Sequence, residues 1–308
     1  MIRLLTLSAL LTLPAAVAAQ PMPACLGDAD ADGGVTVDEI LATVNNALTG
    51  CSLEPVTIPF RAVVGDAPFA CGQSYDDIGL SHETIIPADL RFYLYDVRLL
   101  DAVGREVPVL LQQDGLWQYR DLVLLDFEDR TAPCNQGTVQ TNAQIAGRVP
   151  PGTYRGLRFK VGVPFELNHI DVSTAPSPLS LTAMFWSWRA GYKFVRFDEA
   201  RDLARFHVGS TACTGPNPAT TLRCDRLNEA EVYLPDFDPS TDHVVADLKE
   251  LFADTDLSVN HPDSAPGCES SPLDSDCDPL FRNLGINFAN GMPDPSRQKF
   301  FRAESPSL

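Results

Sequence analysis

Short strand-like runs separated by turn residues are the feature that most restricts what this chain can fold into. From Val56 onward, apolar runs alternate with turn residues, in a chain that contains 25 prolines and 20 glycines. Within Leu90–Leu100, the apolar residues Leu90, Phe92 and Leu94 alternate with Arg91, Tyr93 and Tyr95. This period-two pattern is typical of a strand with one face on a core. Many short strands with Pro and Gly between them indicate a sandwich or barrel. The sequence therefore predicts a mostly β fold over residues 55–308, an antiparallel β-sandwich with long irregular insertions.

The same pattern predicts the positions of individual strands and insertions. The predicted strands are Val56–Val64, Leu90–Leu100, Val107–Leu111, Leu122–Phe127, Ala143–Val149, Tyr154–Val163, Tyr192–Phe197, Arg205–Val208, Glu231–Leu234 and Val244–Leu248. A long insertion, Glu166–Arg189, is expected to contain a short helix and to lie over one end of the sheets. Residues 250–297 are expected to be mostly irregular.

The segment Met1–Ala19 has the layout of a secretory signal peptide. Arg3 is followed by the apolar run Leu4–Leu13 and then by small residues that end at Ala19. The apolar run is shorter than the about 20 residues that a membrane-spanning helix needs, and the small residues favour cleavage over an uncleaved anchor. No later segment is long and apolar enough for a membrane helix. The sequence therefore predicts an exported protein, periplasmic or secreted, without a membrane span.

The acidic charge balance limits the classes of partner. The formal net charge of −18 becomes −19 when Arg3 leaves with the signal peptide. A surface of this charge argues against nucleic acid and anionic lipid as partners and makes cations the natural counterpart. With 44% hydrophobic and 21% charged residues, the chain can still bury a core.

All eight cysteines follow the predicted signal peptide. An even number of cysteines in an exported chain is typical of disulfides. Many connectivities are possible, and pairing between neighbours along the sequence is preferred here. The expected pairs are Cys25–Cys51, Cys71–Cys134, Cys213–Cys224 and Cys268–Cys277.

An acidic loop near the start of the mature chain, within residues 20–54, has the spacing of a calcium site. Acidic residues at alternate positions, a glycine and a closing glutamate let the chain wrap oxygen ligands around a hard cation. The expected calcium ligands are Asp28, Asp30, Asp32, the Gly34 carbonyl and Glu39. Apolar residues at helical spacing follow this loop and predict a short amphipathic helix. The segment resembles half a dockerin or a single EF-hand, and an acidic turn without an ion is the alternative.

Common catalytic motifs are missing from the sequence. It has no G-x-S-x-G, no H-E-x-x-H, no Walker loop, no G-x-G-x-x-G before a helix and no C-x-x-C-H for covalent haem. What stands out instead is a concentration of histidine and aromatic residues around Asn168–His169, Met184–Trp188 and Phe206–Ser210. Imidazoles brought together from separate segments can bind copper or zinc, whereas a lone histidine or tryptophan is more often an ordinary packed residue.

Several longer strings carry a resemblance to a known family. They are Asp89–Tyr93, Leu125–Glu128, Gly162–His169, Pro178–Leu179, Met184–Trp188, Gly191–Phe194 and His207–Cys213. Together, over roughly residues 56–285, they resemble the MbnP-like periplasmic copper-binding proteins, also described as the four-Cys member of the metallo-mystery pair. The four cysteines of that name would be Cys71, Cys134, Cys213 and Cys224. The acidic loop lies outside the resemblance.

The resemblance implies a non-catalytic, exported copper-binding protein for copper acquisition or handling. It also implies a partner, a di-haem protein related to cytochrome c peroxidases and MauG, that oxidises a tryptophan to kynurenine. The implied copper ligands are His169 and His207, and the implied modified residue is Trp186 or Trp188, with Trp186 favoured. Opening the indole ring would expose an aromatic amine and a carbonyl as new ligand groups.

Two further side chains are weaker candidates for the copper site. His82 is a third possible ligand because it precedes the matching string at Asp89–Tyr93. Met184 offers a soft thioether for cuprous ion, although core packing is the commoner role of methionine.

Two functions of other classes compete with copper binding. One is a calcium-stabilised extracellular binding or adhesion module, whose exposed aromatic residues contact carbohydrate or protein. The other is an enzyme that uses a histidine-bound metal as a Lewis acid, for which no general base stands out in the sequence.

Overall fold

The computed structural model of this protein describes residues 35–37, 40, 41, 44, 52–215 and 223–306. The chain divides into two compact units, Met1–Cys51 and Ser52–Leu308. In the first unit, Val37, Ile40, Leu41 and Val44 are helical and exposed. The expected calcium ligands Asp28, Asp30, Asp32, Gly34 and Glu39, the expected Cys25–Cys51 pair and the predicted signal peptide lie outside the described residues.

The second unit is a β-sandwich, as the sequence predicts. Strands account for 41% of the structure and helices for 11%. The strands, in chain order, are β1 Glu54–Val64, β2 Ala67–Pro68, β3 Tyr75–Ile78, β4 Glu83–Ile85, β5 Pro87–Asp101, β6 Glu106–Pro108, β7 Leu110–Leu111, β8 Gln118–Tyr119, β9 Leu122–Asp126, β10 Gln144–Val149, β11 Tyr154–Val161, β12 Phe185–Ser187, β13 Gly191–Tyr192, β14 Val195–Glu199, β15 Arg205–Val208, β16 Thr211–Thr214, β17 Arg223–Arg226, β18 Ala230–Leu234, β19 His243–Asp247, β20 Gly267–Cys268, β21 Ile286–Asn287, β22 Met292–Pro293 and β23 Phe301–Glu304.

Two large sheets make up the sandwich. A six-stranded sheet has the order β23-β19-β1-β10-β7, with β2 paired to β1. A nine-stranded sheet has the order β18-β11-β5-β14-β15-β20, with β6 and β9 also paired to β5 and β8 paired to β9. Most pairs are antiparallel, although β1 runs parallel to β19 and β15 runs parallel to β20. The long strand β5 is therefore the centre of the larger sheet.

The helices of the described residues are short. They are α1 Phe165–Asn168, α2 Leu248–Phe252 and α3 Cys277–Leu284, together with 3₁₀ helices at Thr182–Met184 and Pro295–Arg297. Helix α1 is the short helix expected in the insertion Glu166–Arg189. Residues 250–297 are mostly irregular, as expected, but they include the end of α2 and all of α3. Both helices are fixed by burial, since α2 packs Leu251 and Phe252 into the core and α3 packs Phe281 there. None of the described helices is long and apolar enough to cross a membrane.

The two faces of β5 are both buried, whereas its alternation predicted one buried face. The inner face, which meets the six-stranded sheet, carries Phe92, whose ring lies 6.4 Å from that of Phe60 on β1. The outer face carries Tyr93, whose hydroxyl donates to the Pro178 carbonyl at 2.9 Å. The insertion thus lies across the outer face of the larger sheet. It was expected over one end of the sheets.

The described disulfides are Cys71–Cys134, Cys213–Cys224 and Cys268–Cys277, the pairs expected from their neighbourhood in the sequence. No described cysteine is free. Cys213–Cys224 joins β16 to β17 at directly opposed positions, and Cys268–Cys277 joins β20 to the first residue of α3.

Candidate metal centre

A row of charged side chains crosses the outer face of the nine-stranded sheet. Arg196 on β14 stands opposite His207 on β15 and, on its other side, opposite Arg91 on β5. Opposed residues of neighbouring strands point to the same face of a sheet. The row Arg91, Arg196 and His207 is therefore a consequence of strand register.

Carboxylates connect the members of this row. Nε2 of His207 lies 2.7 Å from Oδ1 of Asp198, and Oδ2 of Asp198 accepts from Nε of Arg196 at 2.7 Å. Arg196 also pairs with Asp89 at 3.2 Å, and Asp89 accepts from Nε of Arg91 at 2.8 Å. Buried charges persist only when they are paired and hydrogen bonded. The network therefore fixes His207 against the sheet.

The partner of His207 determines which ring nitrogen can bind a metal. Burial opposes ionisation of Asp198, but the hydrogen bond from His207 and the charge of Arg196 outweigh it and hold the pKa of this carboxyl well below its usual range. An ionised carboxylate only accepts, so Nε2 of His207 is the donor. Nδ1 is buried without a hydrogen-bond partner among the described residues, and the nearest carboxylate oxygen, from Glu269, is 3.4 Å away. In the neutral imidazole this orphaned nitrogen carries the lone pair.

Trp186 lies against His207. Their ring centroids are 6.3 Å apart, and the Nζ of Lys193 lies 5.9 Å from the centroid of the Trp186 ring. Burial, followed by the charge of Arg196, lowers the pKa of Lys193 to about 8. Trp186 also covers Gly209, where a Cβ would fall 2.5 Å from Cζ3 of the indole. A side chain at position 209 would displace the indole.

His169 follows α1 and is held by the same tryptophan-bearing segment. Its Nδ1 donates to the Trp188 carbonyl at 2.9 Å, because a carbonyl oxygen can only accept. Nε2 therefore carries the lone pair of the neutral ring, and it lies 3.5 Å from Sγ of Cys224. Burial lowers the pKa of His169 below its usual value, which keeps the ring neutral near pH 7.

Asn168 connects the His169 segment to β13 and to the end of β15. Its Oδ1 accepts from the Tyr192 amide at 2.8 Å, and its Nδ2 lies 3.3 Å from Oγ of Ser210. This approach requires Gly191, where φ is +79° and a Cβ would fall 2.3 Å from Oδ1 of Asn168. The amide thereby fixes α1 against the strands that carry the tryptophans and His207.

His169 and His207 show the same arrangement of ring nitrogens. Each uses one ring nitrogen as a donor to a protein oxygen and leaves the other with a lone pair, which is the arrangement of metal-binding histidines. Both contact Trp186–Trp188, His207 through the Trp186 ring and His169 through the Trp188 carbonyl. Within the part of the chain that the structure describes, no hydrogen bond joins His169 to His207.

The remaining candidates lie apart from these contacts. His82 is exposed between β3 and β4, with Nδ1 2.6 Å from Oδ1 of Asp77. Met184 is fully buried in the hydrophobic core. The Trp188 ring is half-buried under the guanidinium of Arg189, 5.0 Å from its centroid. Of the two tryptophans, Trp186 is thus the one whose ring contacts a candidate ligand.

Sequence reasoning missed the residues that orient the ligands. Asp198 lies just beyond the predicted strand Tyr192–Phe197, and no role was assigned to Arg196 or Gly209. The alternation of Arg196 and Asp198 could have indicated a charged strand face, and Gly209 follows His207 closely enough to suggest a tight contact there. The partners of each ring nitrogen depend on tertiary contacts that no local pattern contains.

Comparisons with known proteins agree with this architecture. The family model MbnP matches residues 53–270. Among solved structures, the chain is similar to MbnP from Methylosinus trichosporium, with 34% sequence identity and a TM-score of 0.74. The alignment covers 83% of this chain and 100% of that chain. No curated protein matches the sequence.

Proposed function

This chain belongs to the MbnP family, and we propose that it is an exported copper-binding protein that acts in copper acquisition or handling. The single observation that best supports copper is the buried Nδ1 of His207, which has no hydrogen-bond partner among the described residues and only the Glu269 carboxylate at 3.4 Å. The ring is oriented by Asp198 and lies against Trp186. A buried polar atom without a partner is costly, and a metal bond would satisfy it.

The proposed ligands are His207 through Nδ1 and His169 through Nε2. Both nitrogens carry lone pairs in neutral rings, and imidazole is a suitable ligand for copper in either common oxidation state. Copper is a redox-active, thiophilic ion, and the protein would hold it without performing catalysis. His82 is a less suitable ligand because it lies on an exposed hairpin, outside the contacts that join His169 and His207 to Trp186–Trp188.

We further propose that Trp186 is oxidised to kynurenine by a di-haem enzyme related to MauG, with hydrogen peroxide or dioxygen as the oxidant and release of the lost indole carbon as formate. The contact of its ring with His207 favours Trp186 over Trp188. Kynurenine would add an amine and a carbonyl beside the imidazole, groups that indole does not offer. The charged network on the outer face would hold the modified ring and the ligand in place before copper arrives, which lowers the ordering cost of binding.

The calcium site of the acidic loop is proposed on the spacing of its oxygen ligands alone. Asp28, Asp30, Asp32, Gly34 and Glu39 would hold the ion. Its test is calcium titration of the full chain against a Glu39→Gln variant, in which loss of the bidentate ligand should abolish binding.

Copper binding is tested on protein produced with and without the di-haem partner. Metal content and affinity against a chromophoric chelator are measured for the wild type, His207→Ala, His169→Ala and the control His261→Ala. We expect one copper per chain, lost in the first two variants and retained in the control. Intact mass should show one oxygen gained and one carbon lost only with the partner present, and peptide mapping should place the change at Trp186. Absence of copper binding with both histidines intact would refute the proposal.

A further inference from the structure

A second set of ligand atoms surrounds the free nitrogen of His169. Nε2 of His169 and the sulfurs of Cys213 and Cys224 all lie within 4.8 Å of one another. The sulfurs are joined as a disulfide between β16 and β17. We propose that this is a redox-gated metal site, in which reduction of Cys213–Cys224 creates, with His169, a centre for a thiophilic cation such as Zn²⁺ or Cu⁺.

One ligand distance already suits a shared ion, and the two sulfurs would separate when their bond is reduced. Sγ of Cys224 lies 3.5 Å from Nε2 of His169. A tetrahedral zinc ion with about 2.3 Å bonds to sulfur and about 2.0 Å bonds to nitrogen places those two ligands about 3.5 Å apart. Cys213 stands directly opposite Cys224 in the strand register, so both side chains project from the same face of the β16–β17 pair.

The imidazole is held in the orientation that the site needs. The Trp188 carbonyl binds Nδ1 and leaves the Nε2 lone pair directed toward the sulfurs. The other polar neighbour of Nε2 is Nδ2 of Asn168, at a long 3.4 Å. That amide also reaches Oγ of Ser210 at 3.3 Å, so it retains a partner when an ion occupies Nε2.

The surroundings of this disulfide permit its opening. β16 and β17 form a separate two-stranded sheet, so opening their disulfide breaks no ladder of the two large sheets. Cys213 is half-buried, and Cys224 retains 9% exposure. In contrast, Cys268 and Cys277 are completely buried in the core. An external reductant therefore reaches Cys213–Cys224 more readily than Cys268–Cys277.

The reaction balances as a thiol–disulfide exchange. A dithiol reductant gives two electrons and two protons to the Cys213–Cys224 bond and becomes a disulfide itself. The two thiols lose their protons to solvent as the cation binds, because thiolate is the ligand form. Three protein ligands leave the fourth position of a tetrahedral ion for water. The site uses the His169 lone pair that the proposed copper site also uses, so the two occupancies exclude each other, but neither depends on the other.

The test is anaerobic Co²⁺ titration of the full chain before and after reduction with dithiothreitol, which is removed by gel filtration before the titration because its own thiolates bind Co²⁺. Alkylation and mass mapping identify which cysteines are free. Thiolate-to-cobalt charge-transfer absorption reports bound sulfur. We expect the band only after reduction, at one Co²⁺ per chain. It should vanish in Cys213→Ser/Cys224→Ser. Affinity should fall at least about tenfold in His169→Gln, because loss of even a residue that only orients a ligand costs about 10–100-fold. His207→Gln and His261→Gln should behave as the wild type, which separates this site from the proposed copper site.

Three outcomes would overturn the inference. The first is reduced protein, with Cys213 and Cys224 mapped as free thiols, that shows no charge-transfer band. The second is a band of equal affinity in His169→Gln. The third is loss of the near-ultraviolet circular dichroism of the folded state on reduction or in Cys213→Ser/Cys224→Ser, which would assign the disulfide a purely structural role.

Discussion

The two faces of β5 are equally buried but are covered in different ways. On the inner face, Phe92 packs against aromatic rings of the opposite sheet and the C-terminal strand, including Phe60 and Phe301 at 6.4 and 5.5 Å. On the outer face, Asp89 and Arg91 are completely buried as well, yet they belong to a hydrogen-bonded chain that reaches His207. Apolar packing tolerates any arrangement that fills space, whereas a buried ion network requires particular partners.

That difference explains which face can carry a site. The apolar contacts of the inner face are non-directional, and the apolar area that they bury contributes folding free energy. The outer face orients one imidazole nitrogen and leaves the other without a partner, which apolar packing could not do. Four substitutions test this division, beginning with the one of largest effect.

Phe92→Ala should strongly reduce the free energy of unfolding by removing apolar packing from the inner face. Deleting a fully buried phenylalanine removes its transfer free energy and leaves a cavity, which costs about 3–5 kcal/mol of unfolding free energy. The measurement is urea denaturation of the purified protein. The matched outer-face variant is Tyr93→Phe, which removes only the hydrogen bond to Pro178 and should cost about 1–3 kcal/mol. If Tyr93→Phe were the more destabilising, the assignment of stability to the inner face would be wrong.

Asp126→Asn should change the pH dependence of stability from the outer face. Burial raises the pKa of Asp126 from 3.8 to about 7. The folded state then holds a proton that the unfolded state releases, so the free energy of unfolding falls as pH rises from 3.8 to about 7 and is level above it. The slope from this group is at most about 1.4 kcal/mol per pH unit. Asparagine removes it.

The control for Asp126→Asn is Asp256→Asn, an exposed carboxyl whose pKa is lowered by the hydroxyl and amide of Ser258. It should leave the slope between pH 4 and 7 unchanged, because a lowered pKa affects stability only at more acidic pH. Urea titrations at several pH values compare the variants. An unchanged slope in Asp126→Asn would show that the outer-face carboxyl is ionised throughout this range.

The inner face was the part of the fold that sequence could predict. β1 was predicted as Val56–Val64 and begins two residues earlier, and the prediction Arg205–Val208 coincides with β15. Such runs follow directly from the period of apolar residues. The outer face was not predicted, because the alternation of Arg91 and Tyr93 is typical of a solvent-facing surface. In the fold, the insertion covers Tyr93, and Gly137 lies close to the Arg91 guanidinium. Helices α2 and α3 were missed for the same reason, since tertiary burial stabilises segments this short.

The ligands of the candidate site could be predicted from the sequence, but the contacts that orient them could not. The resemblance identified His169, His207 and Trp186, and the structure places both histidines against Trp186–Trp188. Which nitrogen of each ring is free depends on the Trp188 carbonyl and on Asp198, and these contacts are set by the packing of separate segments. The disulfide beside His169 likewise emerged only from the folded chain.

Asp198→Asn should reverse the tautomer of the His207 imidazole. Arg196 donates to this side chain, so the amide oxygen of asparagine will face Arg196 and its NH₂ will face Nε2 of His207. Nε2 then accepts and Nδ1 holds the proton, which should reduce copper affinity about 10–100-fold. Nitrogen-15 shifts of the imidazole report the tautomer without metal. Asp202→Asn, an exposed partner of Arg205, is the control and should leave both readouts unchanged.

Gly209→Ala should produce the smallest change and the most local one. The new Cβ would fall 2.5 Å from the Trp186 ring and 2.6 Å from the Tyr192 carbonyl, so the half-buried indole must move outward and the backbone beside Tyr192 must shift. We expect about 1–2 kcal/mol of destabilisation from overpacking, together with a red shift of tryptophan fluorescence as the ring meets water. The matched control is Gly104→Ala, on an exposed turn where no atom lies within 4 Å of the added Cβ, although its φ of +82° adds backbone strain. It should destabilise without the fluorescence shift. Equal spectra for the two variants would mean that Trp186 is not seated on Gly209, and the outer face would then lose the contact that places the indole beside His207.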